Sequence, residues 1–275
     1  MTVRALTARD LPAVREVLDR DPQANTFVRY RAESSRLETR WLGGRMLGWF
    51  DAGRLEAVCH VGANIVPCEA GPEAVDAFAE VIGTSPVRPA SIAGPEDAVT
   101  RLWSRLEPRW GAPRSLRVGQ PFLVLDRASE VAPDLRVRRV VMDEIDVLYP
   151  ACVRMFTEEV GVHPEVSHAS MYRARIAQLI THGWAFAIVE DDRVLFKAEL
   201  GAVTDRACQV QGVWVDPEFR GQGLSVPGMA GVVNLLRDQV APAVNLYVNS
   251  YNDRALRVYA RVGFRRHTTF ATVLL

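Results

Sequence analysis

Two stretches half a chain apart repeat one pattern, and this repetition limits the possible folds more than any other feature. Val3-Arg4-Ala5-Leu6 alternates like a strand and runs into Thr7 and Asp10, which are spaced as a helix cap. Leu11, Val14, Val17 and Leu18 then mark the buried face of a helix. Val137-Arg138-Arg139-Val140, followed by Met142, Ile145 and Leu148, repeats the arrangement 134 positions on (137 less 3). Residues 46–61 read as a hairpin turning at Asp51-Ala52-Gly53, and residues 185–200 as another turning at Asp191-Asp192. Arg54 answers Arg193, and Gly62-Ala63 answers Gly201-Ala202, at 139 positions (193 less 54). Nearly constant offsets at half of a 275-residue chain indicate an internal duplication. The pattern predicts two α/β domains of mixed, mostly antiparallel sheet, residues 1–126 and 136–275, with residues 127–135 as a polar, proline-bearing linker. In the first half it further predicts helices over 72–82 and 95–106 and strands over 91–93 and 122–125. In the second it predicts helices over 143–157 and 253–262, a helix carrying Tyr172, Ile176, Leu179 and Ile180, strands over 210–215 and 244–248, and a final strand pair over 264–275.

The second half carries a loop that the first lacks. The strand Val210–Val215 stops at Asp216-Pro217, because proline cannot donate to a ladder. Arg220-Gly221-Gln222-Gly223-Leu224-Ser225 follows, and Met229, Val232, Val233 and Leu236 then recur with helical spacing, in a helix expected to become regular near Val226. A helix N-terminus presents unpaired N–H groups and positive dipole, and glycines let a phosphate approach. A Walker loop needs a lysine that is absent here, and a dinucleotide fingerprint needs glycine where Val226 stands. Downstream, Asn252, Ala255, Tyr259 and Gly263-Phe264 form a second spaced set. Together, the Arg-x-x-Gly-x-Gly/Ala pattern and the Asn-x-x-Ala-x-x-x-Tyr-x-x-x-Gly-Phe pattern resemble the GNAT family of acetyl-CoA-dependent N-acetyltransferases. The full resemblance covers about residues 136–275, and Ser225 departs from the family's usual Gly or Ala. Neither motif occurs in residues 1–126. The chain therefore looks like a tandem GNAT-like protein (α/β, α+β in arrangement) with a degenerate first half.

Composition excludes other readings. The 33 basic and 33 acidic residues cancel, which leaves no electrostatic footprint for nucleic acid or an anionic membrane, and argues against an aminoacyl-tRNA-dependent transferase. No apolar run approaches the length of a membrane helix, and the first residues lack a signal-peptide core. Cys59, Cys68, Cys152 and Cys208 show no metal spacing and read as reduced core thiols, so a cytoplasmic protein without a metal is expected. Trp41, Trp49, Trp103, Trp110 and Trp184 read as core or interface residues. Lys197 is the only lysine.

The resemblance implies a site. Backbone groups of Val213, Trp214 and Val215 would hold the pantetheine and acetyl carbonyl where two central strands splay apart. Arg220, Gly221, Gln222, Gly223, Leu224 and Ser225 would hold the pyrophosphate, with Asn252 and Ala255 on the following motif helix. Tyr259 would be the general acid. The family's usual strand glutamate is replaced by Gln211, which cannot take a proton, so the base is left to Glu199 or Glu159, with Glu158 and His163 as further candidates. Alternation places Lys197 and Glu199 on one strand face, as an ion pair or as part of the site. The segment Glu158–Pro164, Trp214 and that face would receive the acceptor, an amine of a small molecule or peptide. The missing glutamate also leaves open a non-catalytic acyl-CoA sensor.

Overall fold

The computed structural model describes residues 1–86 and 88–275, except for the side chains at 160 and 165–169. The chain divides into two units. The first holds residues 1–124, 247–253 and 266–275; the second holds residues 125–246 and 254–265.

The first unit runs β1 (Thr2–Ala5), α1 (Leu11–Leu18), α2 (Thr26–Ser35), α3 (Thr39–Leu42), β2 (Arg45–Asp51), β3 (Arg54–Val61), β4 (Asn64–Cys68), α4 (Pro72–Gly83), β5 (Ser91–Pro95), α5 (Glu96–Trp110) and β6 (Ser115–Leu125). The second runs β7 (Arg138–Arg139), α6 (Ile145–Val160), α7 (Glu165–Thr181), β8 (Ala185–Glu190), β9 (Arg193–Val203), β10 (Cys208–Val215), α8 (Ser225–Gln239), β11 (Val244–Tyr247) and α9 (Asp253–Val262). A last strand, β12 (Arg265–Leu274), returns to the first unit.

Strands neighbour in the order β1-β2-β3-β4-β5-β12-β6 in the first unit and β7-β8-β9-β10-β11 in the second. Pairing is antiparallel from β1 to β4 and from β7 to β10, whereas β4–β5 and β10–β11 are parallel. The two units thus share a topology, and they share details too. Asp10 accepts from Thr7 N at 2.8 Å and from both terminal nitrogens of Arg4; Glu144 accepts from Val141 N at 3.0 Å and from both of Arg138. Each clasp closes the turn between the unit's first strand and first helix. The two hairpins turn through Ala52-Gly53 and Asp191-Asp192, all with positive φ, the geometry that matches the twist of paired strands.

In the first unit α4 and α5 cover one sheet face, with Phe78, Ile82, Val99, Leu102 and Trp103 on Leu47, Ile65, Ile92 and Val273. Val14, Val17, Leu18 and Val28 of α1 and α2 join Met46, Val58 and Val66 in a separate core. In the second unit Leu148, Cys152, Met155, Ile176 and Ile180 of α6 and α7 meet Ala185, Ala187, Val194 and Trp214. Each large apolar side chain buried this way contributes roughly 1.5–3 kcal/mol. The helix α8 packs through Gly228, where an added Cβ would lie 3.1 Å from the Phe196 ring.

Two expectations are corrected. Residues 264–275 form one strand, not two, because nothing in 265–274 supplies a turn and β12 pairs without a break from Phe270↔Pro95 to Leu274↔Ser91. Trp41 is 63% exposed and lies under the Arg40 guanidinium at 4.9 Å, so it is not a core residue. The helix α8 begins at Ser225, next to Val226 as expected, with Pro227 in its first turn where no N–H is needed. The four cysteines are free and buried, and among the described residues no helix is long and apolar enough to cross a membrane.

Candidate active site

The second unit's sheet opens at its centre. β10 and β11 are in register only at Cys208↔Val244 and Gln209↔Asn245; beyond this, β10 runs on to Val215 with no partner on that side among the described residues. On the other side β10 keeps β9, but with a slip: Gln211 faces Glu199, while Trp214 faces Lys197. Three steps along β10 match two along β9, so one residue bulges. Gly212 sits in this bulge at φ +58. Asp216 N donates to Leu195 O across the β9 side at 2.9 Å, so strand alternation turns the N–H and C=O of Val215 to the open side. There the Val215 carbonyl accepts from Arg220 Nε at 3.0 Å.

The loop after β10 is fixed at its start and open at its end. The buried Asp216 accepts from Arg193 twice, at 2.7 and 2.9 Å, and from Glu218 N at 3.1 Å. Arg193 holds this carboxyl below the ordinary range. Gly221 and Gly223 then take φ +81 and +85, and an added Cβ at either would meet nothing within 4 Å. No hydrogen bond from the backbone N–H of residues 221–226 is found among the described residues, apart from Pro227 having none to give. Unpaired N–H groups, open glycines and the positive end of the 15-residue α8 form a fitting cradle for a pyrophosphate.

The other candidates fall into three groups. Glu158, at the C-terminal end of α6, accepts from Trp214 Nε1 at 3.3 Å and from Arg220 Nη2 at 2.6 Å, while the Arg154 guanidinium stands 5.8 Å from the Trp214 ring. Lys197 and Glu199 form an ion pair at 3.1 Å with side chains only 1% and 8% exposed. Gln211 Nε2 donates to the other Glu199 oxygen at 3.2 Å. Tyr259, on α9, is buried with its ring 5.7 Å from Phe264. Burial, then the negative charge of Glu159, pushes its phenol above the ordinary tyrosine range, so the proton is held firmly. Ala255 lies on the same helix, whereas Asn252 belongs to the segment grouped with the first unit. His163 is exposed after α6. Sequence reasoning did not identify Met155, Cys152 or the Gly212 carbonyl, all of which meet Lys197. The only available signal was the positive-φ preference of glycine at position 212.

Two family profiles match the chain: the acetyltransferase (GNAT) family over residues 152–264, and a domain of unknown function, DUF4081, over residues 44–148. A mycothiol acetyltransferase of Saccharopolyspora erythraea is 28% identical over 204 residues, 67% of this chain and 64% of the relative. The chain thus spans less than two thirds of that relative's length. Among solved structures, a GNAT-family acetyltransferase from Colwellia psychrerythraea covers both chains fully at a TM-score of 0.60 with 10% identity. A tandem GNAT protein from the clavulanic acid biosynthesis pathway covers 99% of this chain and 98% of its own at 0.51, with 13% identity. The splayed strands and the open glycine loop at the head of α8 agree with these likenesses: residues 152–264 match the acetyltransferase (GNAT) family, and the chain as a whole shares the fold of solved GNAT proteins, a tandem one among them.

Proposed function

We propose that this protein is an acetyl-CoA-dependent N-acetyltransferase whose working site lies in the second unit, the first being a degenerate copy. One observation carries the reading: the open edge of β10 runs directly into a glycine loop whose N–H groups have no partner among the described residues. Residues 220–225 would hold the pyrophosphate, and the strand from Val213 to Val215 would hold the pantetheine and the acetyl carbonyl. Bound acetyl-CoA supplies the activated acetyl group as a thioester. Tyr259, kept protonated by burial, is suited to give a proton to the departing thiolate. Glu199, whose two oxygens meet Lys197 and Gln211, or Glu159 takes the amine proton, directly or through water. The acceptor is a primary amine of a small molecule or peptide, and carboxylates at Glu158 and Glu159 favour a cationic one. The likeness to proteins named mycothiol acetyltransferase makes amines related to mycothiol the first acceptors to try.

The test is release of free CoA thiol from acetyl-CoA over a panel of amines. Tyr259→Phe should lower kcat about 100-fold and leave acetyl-CoA binding intact. Undiminished turnover in that variant removes the tyrosine from the mechanism. No acetyl-CoA binding by the wild type defeats the whole reading, and binding with no acceptor anywhere in a broad panel supports an acyl-CoA sensor instead.

A further inference from the structure

The chain uses arginine at every basic position but one, and the single lysine is among its most deeply buried side chains. Lys197 Nζ donates to three acceptors: Glu199 Oε2 at 3.1 Å, the Gly212 carbonyl at 3.0 Å and Met155 Sδ at 3.1 Å. Its partners come from three elements, β9, β10 and α6. A planar guanidinium is too large and wrongly shaped for such a compact, three-way site. Charge balance alone does not explain the arrangement, because the bond to Gly212 balances no charge.

That bond has a geometric consequence. The Gly212 carbonyl and the Val213 N–H belong to one planar trans peptide, so they point in opposite directions. Holding the carbonyl toward α6 therefore aims the Val213 N–H away from α6. Gly212 is also the one bulged position with left-handed backbone, where a peptide flip is cheapest. Without Lys197 this peptide has no side-chain anchor among the described residues.

We propose that Lys197 is a positioning residue: its ammonium locks the Gly212–Val213 peptide of the β10 bulge so that the Val213 N–H is presented to the thioester carbonyl of acetyl-CoA. The proposal rests on the acetyl-CoA reading above. It assigns Lys197 no contact with substrate and no proton transfer.

Calorimetric titration of the full chain with CoA and with acetyl-CoA tests it. Only the acetylated ligand offers a carbonyl to Val213, so the wild type should prefer acetyl-CoA by about tenfold, the worth of one good hydrogen bond. In Lys197→Met the loop at 220–226 is untouched, so CoA affinity should hold while the preference falls to about one. With an active amine, kcat should fall about 100-fold, as on losing one oxyanion donor. A role confined to stability would lower the melting temperature and leave the preference intact, and that result overturns the proposal. A wild type that binds both ligands equally overturns it as well, but leaves the cofactor reading standing. A wild type that binds neither defeats the cofactor reading itself. Where Lys197→Met fails to fold because Glu199 is left uncompensated, Lys197→Met with Glu199→Gln removes both charges. The preference ratio decides there too, since it involves no proton transfer.

Discussion

Replacing Gly212 with alanine probes the bulge from its backbone side. Two costs arise. A non-glycine residue in left-handed backbone costs about 1–2 kcal/mol. The new Cβ would also lie 2.9 Å from Glu199 Cδ and 3.0 Å from its Cγ, and Glu199 cannot retreat without leaving Lys197 and Gln211. Overpacking of this kind costs about 1–3 kcal/mol. The sum, about 2–5 kcal/mol, corresponds to a fall in Tm of about 4–20 °C at this size. Gly221→Ala is the internal control. Its φ is +81, yet an added Cβ meets nothing within 4 Å, so only the first cost applies. Both changes remove the same glycine entropy from the unfolded chain, so that contribution cancels in the difference. Urea unfolding followed by tryptophan fluorescence should therefore place Gly212→Ala about 1–3 kcal/mol below Gly221→Ala. Equal losses would show that Glu199 yields freely and would refute the rigid Lys197–Glu199–Gln211 arrangement. Gly221→Ala should instead show its main effect in weaker acetyl-CoA binding.

Two further outcomes concern the first unit. Burial, helped by the nearby Arg31 charge, holds His60 down to about 4, well under an exposed histidine. The unfolded chain then binds a proton that the folded chain refuses between pH 6.5 and 4, so stability should fall as pH drops through that window; His60→Gln should flatten the decline, and an identical urea-midpoint slope in the variant would contradict the assignment. Truncation after Arg265 removes β12, the partner of β5, and leaves Ile92 and Phe78 without Val273 and Ala271; limited proteolysis should cut the first unit in the truncated chain and spare it in the full one, and equal resistance would show that β12 is dispensable.

Much of this architecture was legible in the sequence because it rests on local physics. The hairpins at 51–53 and 191–192 carry their own turn residues, and the paired Arg4–Asp10 and Arg138–Glu144 clasps sit at one offset. Alternation alone put Lys197 and Glu199 on one face. What was not legible depends on long-range partners. The β10 slip arises from pairing with β9, so the meeting of Lys197 with Gly212 could not be read from spacing. Glu158 reaches Trp214 and Arg220 from the end of α6, a juxtaposition set by helix packing. The three elements missed in the first half, α2, α3 and β4, lack the signals that betray their neighbours: α2 is polar on most positions, α3 has only four residues, and β4 contains Pro67. The placement of β12 was hidden for the same reason, since an apolar strand does not announce which sheet it will join.

The return of β12 also sets a timetable for synthesis. Ile92 must wait for Val273, which a ribosome delivers 181 residues later (273 less 92). At about 5–20 residues per second, the first-made unit stands with an open sheet edge for on the order of 10 s. An unpaired edge of this kind invites pairing with neighbouring chains. Pro95 at the end of β5, which cannot donate along that edge, and the short five-residue length of the strand blunt the exposure. The half of the molecule that is made first is therefore completed last, and newly made chains should be most vulnerable to aggregation before residue 266 emerges.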